Sequence, residues 1–226
     1  MPWRRVKTLT TQDRGDVATA GRTRGPYTLR RRAERETETR LAITKATVAL
    51  HQELGPLGTT VAAVAARAGV SRPTVYAHFP DDHALLAACT AHYRALHPGP
   101  DPAAWAEIAD RLARLRVALP AIYDHWADVE PMATSVLRDH RADPVRAVGA
   151  GFERFAATCR QALVTGWSAR GRRRKLIEAA VGHAIAFETW RSLVRDEGLS
   201  QKEAVELMMA AVTAAGCGGR LGPAAG

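Results

Sequence analysis

The order of apolar and polar positions along the chain predicts a series of helices separated by short turns. The first periodic segment covers residues 33–54, where one face repeats at i, i+3, i+4, i+7 and i+11, the spacing of an α-helix. The residues on this face are Ile43, Ala46, Thr47, Leu50 and Leu54. Gly55 and Pro56 end the segment, because proline cannot continue the helical hydrogen-bond ladder. Long alternating strand patterns are missing from the sequence, so an all-α fold of about nine helices is predicted.

The next segment predicts two short helices around a tight turn. Thr59 or Thr60 is suited to cap a helix over residues 61–68, since a threonine side chain can accept a hydrogen bond from the first turn. Gly69 supplies the left-handed residue that ends many helices, and Ser71 can cap a second helix at once. Helix, glycine, cap and helix within about twenty residues form a helix-turn-helix unit.

A third helix is predicted from Asp81 or Asp82 to Leu96, and the proline-rich residues 97–102 then form a break. The expected organisation has four parts. These are a disordered basic arm (1–32), a three-helix domain with the helix-turn-helix (33–98), a second helical domain (103–215) and a flexible tail (216–226).

The second domain has the same helical periodicity. Pro120 and Pro131 are expected to interrupt it, because proline removes a backbone donor. A further helix is predicted over residues 176–195. Ser200 and Glu203 form an S-x-x-E capping box for the last helix.

Most of the formal net charge of +9 lies in the first 32 residues. Residues 1–32 contain nine Lys/Arg and two Asp, a net of +7, whereas residues 33–98 contain six basic and six acidic residues. A basic arm of this kind either attracts phosphate groups without sequence preference or is a solvated tail, and composition leaves both open.

Composition also bears on cofactors and location. The three cysteines are far apart, which predicts neither a disulfide framework nor a metal site, and we expect no cofactor. No apolar run approaches the roughly 20 residues that span a bilayer, so no membrane partner and a cytoplasmic location are expected.

In a helix-turn-helix the second helix enters the major groove of DNA, and its first residues contact bases and phosphates. Arg72 can pair with guanine or bind a phosphate, and capped helix starts offer backbone N–H groups to phosphates. The candidate DNA-binding residues are Thr59, Thr60, Ser71, Arg72, Pro73, Thr74, Tyr76 and His78.

The string AARAGVSRPTVYAHFPDDHALL resembles the DNA-binding segment of the TetR/AcrR family of bacterial transcriptional regulators. The segment AIAFETWRSLVRDEGLSQKEAVELM is similar to the last two helices of many members. The resemblance implies a homodimer joined through those helices and bound to a double-stranded, palindromic DNA operator. It also implies a cavity for a small molecule that lowers operator affinity, and hence a repressor.

Two positions depart from the family pattern. Asp82 stands where the family usually has a lysine, and His51 stands where it usually has an aromatic residue. A phosphate contact at position 82 is therefore in doubt, and the hypothesis follows that the basic arm compensates for the lost lysine.

Apolar and aromatic residues of the second domain suit a lipophilic or aromatic ligand, although each is also a normal core residue. The candidate ligand-binding residues are Tyr123, Trp126, Met132, Phe152, Phe155, Trp167, His183 and Phe187. The candidate dimer residues are Leu176, Ile177, Ala180, Ala184, Trp190 and Leu193.

Two other functions compete with a ligand-responsive regulator. One is a basic protein that binds nucleic acid without sequence preference. The other, a small helical enzyme, has little support, because the sequence contains no nucleophile elbow, phosphate-binding loop, metal-ligand set or paired carboxylates. No catalytic residue is therefore proposed.

Overall fold

The computed structural model describes residues 26–139 and 145–217. These residues form ten α-helices and one π-helical turn without a β-strand, which confirms the all-α fold with one more helix than expected. The helices are α1 (Pro26–Leu54), α2 (Val61–Ala68), α3 (Arg72–His78), α4 (Asp82–Leu96), α5 (Pro102–Ala106), α6 (Arg111–Asp139), α7 (Arg146–Val164), α8 (Gly171–Ala184), α9 (Phe187–Arg191) and α10 (Gln201–Cys217), with the π-helical turn at Ser192–Asp196. None of the described helices is long and apolar enough to cross a membrane.

The described residues divide into two units, with the boundary between Glu38 and Thr39. In the first unit, residues 26–38 are helical, and Arg30 pairs with Glu34 at 2.9 Å. The prediction that residues 26–32 belong to an irregular arm is therefore wrong, because Pro26 begins the helix, where its missing N–H is not needed.

The predicted disorder of the arm otherwise concerns residues 1–25, which lie outside the described residues. At the other end of the chain, α10 continues through residues 216 and 217, which were assigned to the tail. The remaining tail residues, 218–226, also lie outside the described part.

The second unit contains two hydrophobic cores. The smaller core joins α1, α2, α3 and α4 through Ile43, Leu50, Val64, Ala65, Val75, Phe79 and Leu85. The larger core surrounds α6, and its most completely buried side chains include Leu115, Leu119, Ile122, Tyr123 and Trp190. Helix α4 belongs to both, since Leu85 lies in the smaller core and Tyr93 in the larger.

Helix α6 is continuous through Pro120 and Pro131, so the predicted interruptions are wrong. Proline in a helix interior removes one hydrogen bond and costs about 3 kcal/mol. Burial of side chains on both sides of Pro120, such as Leu119 and Ile122, offsets this cost, and sequence pattern alone does not reveal that burial.

The helix predicted over residues 176–195 is broken near Ile185. The Tyr123 hydroxyl donates to the carbonyl oxygen of Ala184 at 3.1 Å, and Trp126 Nε1 donates to that of Ile185 at 3.0 Å. These donors satisfy carbonyl groups at the break, which would otherwise be buried without partners. The predicted capping box is confirmed at the start of α10, where the Ser200 N–H donates to a Glu203 carboxylate oxygen at 2.8 Å.

Candidate nucleic-acid interface and ligand cavity

Local hydrogen bonds build the helix-turn-helix at the predicted positions. Thr60 caps α2, and its side chain accepts from the Ala63 N–H at 3.2 Å. Gly69 ends α2 with φ of 67°, a left-handed conformation that would strain a residue with a side chain. Thr59 has a different role from Thr60, because its hydroxyl donates to the carbonyl oxygen of Gly55 at 2.8 Å.

The start of α3 is fixed by Ser71, whose side chain accepts from the Thr74 N–H at 3.2 Å. The hydroxyls of Ser71 and Thr74 also lie 2.8 Å apart. Pro73 occupies the first turn, where a missing N–H costs little. The capped end of α3 is therefore preorganised before any ligand binds.

The two faces of α3 differ sharply in exposure. Val75 and Phe79 are each 1% exposed and anchor the helix in the smaller core. Elsewhere on the helix Arg72 and Pro73 are exposed, and Tyr76 is 52% exposed. Three of the eight candidate DNA-binding residues thus form an outward surface on the helix that the sequence assigned to the major groove.

The C-terminal end of α3 is held by Arg40 of α1, which the sequence analysis did not single out. Its guanidinium carbon lies 4.0 Å from the centre of the Phe79 ring, a cation–π arrangement. Arg40 Nη1 also donates to the backbone carbonyl oxygen of His78. His78 itself is half-buried, and its backbone is part of this contact.

The two acidic residues at the start of α4 have different roles. Asp81 is the cap, and its side chain accepts from the Ala84 N–H at 2.7 Å. Asp82 is exposed in the first turn of α4, where a negative charge interacts favourably with the helix dipole.

A cavity of about 340 Å³ lies between α1, α4, α6 and α7. Its inner end is lined by buried side chains, namely His51, Leu86, Cys89, Met132 and Val136. Its outer end is formed by Arg94, His97, Pro98, Gly99, His125, Arg154 and Phe155. A volume near the lower limit of typical small-molecule sites and largely apolar walls suit a small, mainly apolar ligand.

Burial determines the protonation state of the two polar side chains at the inner end. The pKa of His51 falls to about 4 because desolvation disfavours the imidazolium, partly opposed by the charge of Asp139. His51 Nδ1 lies 3.6 Å from the Cys89 sulfur, and burial raises the pKa of this thiol to about 12. Both groups are therefore uncharged at neutral pH.

Aromatic and imidazole rings form much of the outer end. The rings of Tyr93 and His97 stack at 4.3 Å between centres, and those of His125 and Phe155 lie 5.7 Å apart. His97 Nδ1 is 2.6 Å from an oxygen of Asp128. Burial is the main cause that lowers the pKa of His125.

Three of the eight predicted ligand-binding residues line the cavity, namely Met132, Phe152 and Phe155. Tyr123, Trp126 and Phe187 are instead core residues. Trp167 lies beyond the end of α7 and donates to the carbonyl oxygen of Leu163 at 3.2 Å. His183 is exposed, and its ring nitrogen lies 3.2 Å from the Thr189 hydroxyl.

The cavity residues contributed by α1 and α4 are not among the predicted ligand-binding residues, because the sequence pattern places both helices in the DNA-binding half. A usable signal was present, since Leu86, Cys89, Tyr93 and His97 repeat at i, i+3, i+7 and i+11 and continue one face of α4 beyond the smaller core.

Three residues at the end of α6 form hydrogen bonds to the end of α1 and to the turn that follows it. We term this group of contacts, made by Ser135, Arg138 and Asp139, the α6 clasp. Asp139 Oδ2 accepts from the Leu57 N–H at 3.1 Å, and Arg138 Nη2 donates to the carbonyl oxygen of Leu54 at 3.2 Å. Arg138 is also paired with Asp139, and this hydrogen bond is the main cause that lowers the pKa of the carboxyl group.

The predicted dimer residues separate into two groups. Ile177, Ala184 and Trp190 are each fully buried within their own chain. Leu176 is 48% exposed, and Ala180 and Leu193 are half-buried. An apolar surface across α8 and α10 is nevertheless open, and it contains Leu176, Ala179, Leu207, Ala210 and Ala214.

No group of three potential metal ligands occurs among residues 26–139 and 145–217. Comparison with curated proteins found no match. Residues 43–89, which include the whole helix-turn-helix, match the model for bacterial regulatory proteins of the tetR family.

Solved structures share the fold. A TetR-like transcriptional regulator from Rhodococcus sp. RHA1 has a TM-score of 0.56 and 19% identity, covering 80% of this chain and 96% of that one. A protein from Mesorhizobium loti MAFF303099 assigned to the same family has a TM-score of 0.52 and 18% identity, covering 80% and 96%. A tetR-family transcriptional regulator from Streptomyces coelicolor has a TM-score of 0.50 and 18% identity, covering 79% of each chain.

Proposed function

We propose that this chain, whose residues 43–89 match the model for bacterial regulatory proteins of the tetR family, is a DNA-binding regulator that represses transcription from a specific operator. We further propose that it binds as a homodimer to a palindromic site and is released by a small lipophilic or aromatic ligand in the cavity between α1, α4, α6 and α7.

The observation that carries operator recognition is the two-sided character of α3. Its inner face is buried, its start is capped by Ser71, and its end is held by Arg40. The outer face presents Arg72 and Tyr76 without competing intramolecular hydrogen bonds among the described residues. A rigid helix with a guanidinium near its start has the chemistry to read guanine in the major groove.

The proposal is tested by selecting bound fragments from random DNA with the full chain at physiological salt. Enrichment of one inverted repeat is expected, followed by repression of a reporter that carries it. Equal recovery of unrelated fragments, with a steep dependence on salt, would instead support binding without sequence preference.

Replacing Arg72 by alanine is expected to weaken operator binding by about 1–3 kcal/mol and to relax preference at one base pair of each half-site, provided that Arg72 pairs with a base. The measurement is binding to the selected operator and to its single-base variants. Arg67→Ala is the matched control, because Arg67 is in the preceding helix and is paired with Glu53 at 2.6 Å. An unchanged base preference would assign Arg72 to a phosphate.

The proposed dimer uses the open apolar surface of α8 and α10. Two recognition helices one DNA turn apart require two copies of the chain. Leu176 of α8 and Leu207 of α10 are 48% and 46% exposed, and the exposed alanines on the same two helices are small enough to permit close helix approach. Sedimentation velocity at micromolar concentration tests this arrangement, and a purely monomeric species would exclude it.

The position of α4 supports control by a ligand. One end of this helix packs with α2 and α3, while its other half forms a wall of the cavity. A ligand that displaces this wall also displaces the end of α4 against which α3 packs. Ligand and operator then compete through two states of the same helix.

Deleting residues 1–25 tests the basic arm while leaving α1 complete. The deleted part contains six Lys/Arg and two Asp. If the arm contacts phosphates, operator affinity falls at physiological salt, and the slope of log K against log salt becomes shallower by roughly 0.9 per lost contact. An equal slope and affinity in the shortened protein would show that the arm is only a solvated segment.

A further inference from the structure

The cavity between α1, α4, α6 and α7 has opposite chemistry at its two ends. The outer end is cationic, since Arg94 and Arg154 are exposed at its rim. Within the described part of the chain, no carboxylate pairs with either guanidinium, and none of the described lining residues is Asp or Glu. Asp128, which is not a lining residue, is paired with the Nδ1 atom of His97 at 2.6 Å.

The inner end is apolar and uncharged. Leu86, Met132 and Val136 form much of its surface, and each is less than a tenth exposed. The two polar groups there, His51 and Cys89, are both neutral at physiological pH because burial disfavours their charged forms. A charged group on a ligand would be poorly solvated at this end.

The distance between the two ends follows from helix geometry. Leu86 on α4 and His97, which caps the end of this helix, are eleven residues apart, and so are His125 and Val136 on α6. At 1.5 Å per residue each separation is about 16 Å, so the cavity is long relative to its volume. An extended ligand fits this shape better than a compact polycyclic one.

We infer that the cavity binds an amphipathic organic anion, with its carboxylate or phosphate head between Arg94 and Arg154 and its apolar tail toward Leu86 and Val136. This assignment rests on the proposed ligand-controlled function and specifies the class of its ligand. Guanidinium groups bind both kinds of anionic head through paired N–H donors. The anionic head would thus pair with the two arginines at the rim, for which the described residues provide no carboxylate.

The test is calorimetric titration of the full chain with four probes that share an eight-carbon tail: octanoate, octyl phosphate, octan-1-ol and octylamine. At least one anion is expected to bind at least tenfold more tightly than the alcohol, and the amine more weakly than the alcohol. The preferred anion distinguishes a carboxylate head from a phosphate head. Equal binding of anion and alcohol, tighter binding of the amine, or no binding of either anion overturns the assignment.

Charge-removing variants locate the head group. The double variant Arg94→Gln, Arg154→Gln should bind the anion at least tenfold more weakly than the unchanged protein does. Its affinity for the alcohol should stay within about twofold. Arg191→Gln, an exposed cation that lines no part of the cavity, is the matched control. An equal loss of affinity for the anion and the alcohol would indicate a damaged cavity and would contradict the assignment. Circular dichroism verifies separately that the variants are folded.

The two proposals can fail separately. If an anion binds as expected but leaves operator affinity unchanged, the ligand class holds and ligand-controlled DNA release is wrong. If operator affinity responds to octan-1-ol as strongly as to octanoate, control by a ligand holds and the anionic class is wrong.

Discussion

Replacing Phe79 by alanine is expected to lower the free energy of unfolding by about 3–5 kcal/mol, the largest effect among the substitutions considered. Phe79 is 1% exposed at the end of α3 and packs in the small core with Val64 and Val75. Its removal leaves a cavity and also abolishes the surface on which the Arg40 guanidinium lies at 4.0 Å. Urea denaturation followed by far-ultraviolet circular dichroism measures the loss.

Tyr76→Ala is the matched control for Phe79→Ala. It removes an aromatic ring of similar size from α3, the helix that Phe79 follows directly, but from an exposed position. Its expected cost is about 0.5 kcal/mol, since exposed side chains lose little burial. Similar costs for the two substitutions would mean that Phe79 does not anchor α3.

The second large effect is a dependence of stability on pH caused by His51. Its pKa is about 4 in the fold and about 6.5 when exposed, so between these values the unfolded chain binds more protons. Stability is therefore fully present above pH 6.5 and is lost as pH falls toward 4. With these pKa values the loss between pH 7.5 and pH 5 is about 2 kcal/mol.

His51→Phe isolates this contribution, because the lowered pKa of His125 acts in the same direction in both proteins. The free energy of unfolding of the variant should change by about 2 kcal/mol less between pH 7.5 and pH 5. Asp139 interferes little, since its lowered pKa places its titration at more acidic pH. Parallel pH profiles for the two proteins would contradict a buried, neutral His51.

Local features of the sequence were sufficient to predict the helix-turn-helix. Thr60, Gly69 and Ser71 act on backbone groups within a few residues of themselves, so their roles depend little on the rest of the fold. The capping box at Ser200 was predictable for the same reason. Periodicity also indicated the buried face of α1 from Ile43 to Leu50, although Leu54 at the end of that face is 49% exposed.

Contacts between distant parts of the chain were not predictable in this way. Arg40 and His78 are 38 residues apart, and no local pattern connects a cation on α1 with the end of α3. Pro120 and Pro131 remain helical because tertiary packing outweighs a local penalty. The aromatic residues Tyr123 and Trp126 resembled a ligand site by composition, but their polar atoms are used to satisfy the α8–α9 break.

The α6 clasp has a consequence for which substitutions the chain can accept. Gly55 lies in the gripped turn with φ of 80°, and a Cβ atom there would overlap Arg138 Nη2 and Asp139 Oδ2. A side chain at position 55 would therefore displace the Arg138 guanidinium and the Asp139 carboxylate, and displacement of the carboxylate would leave the Leu57 N–H without its acceptor. The residue at position 55 is thus constrained by the side chains at positions 138 and 139, which lie more than eighty residues further along the chain.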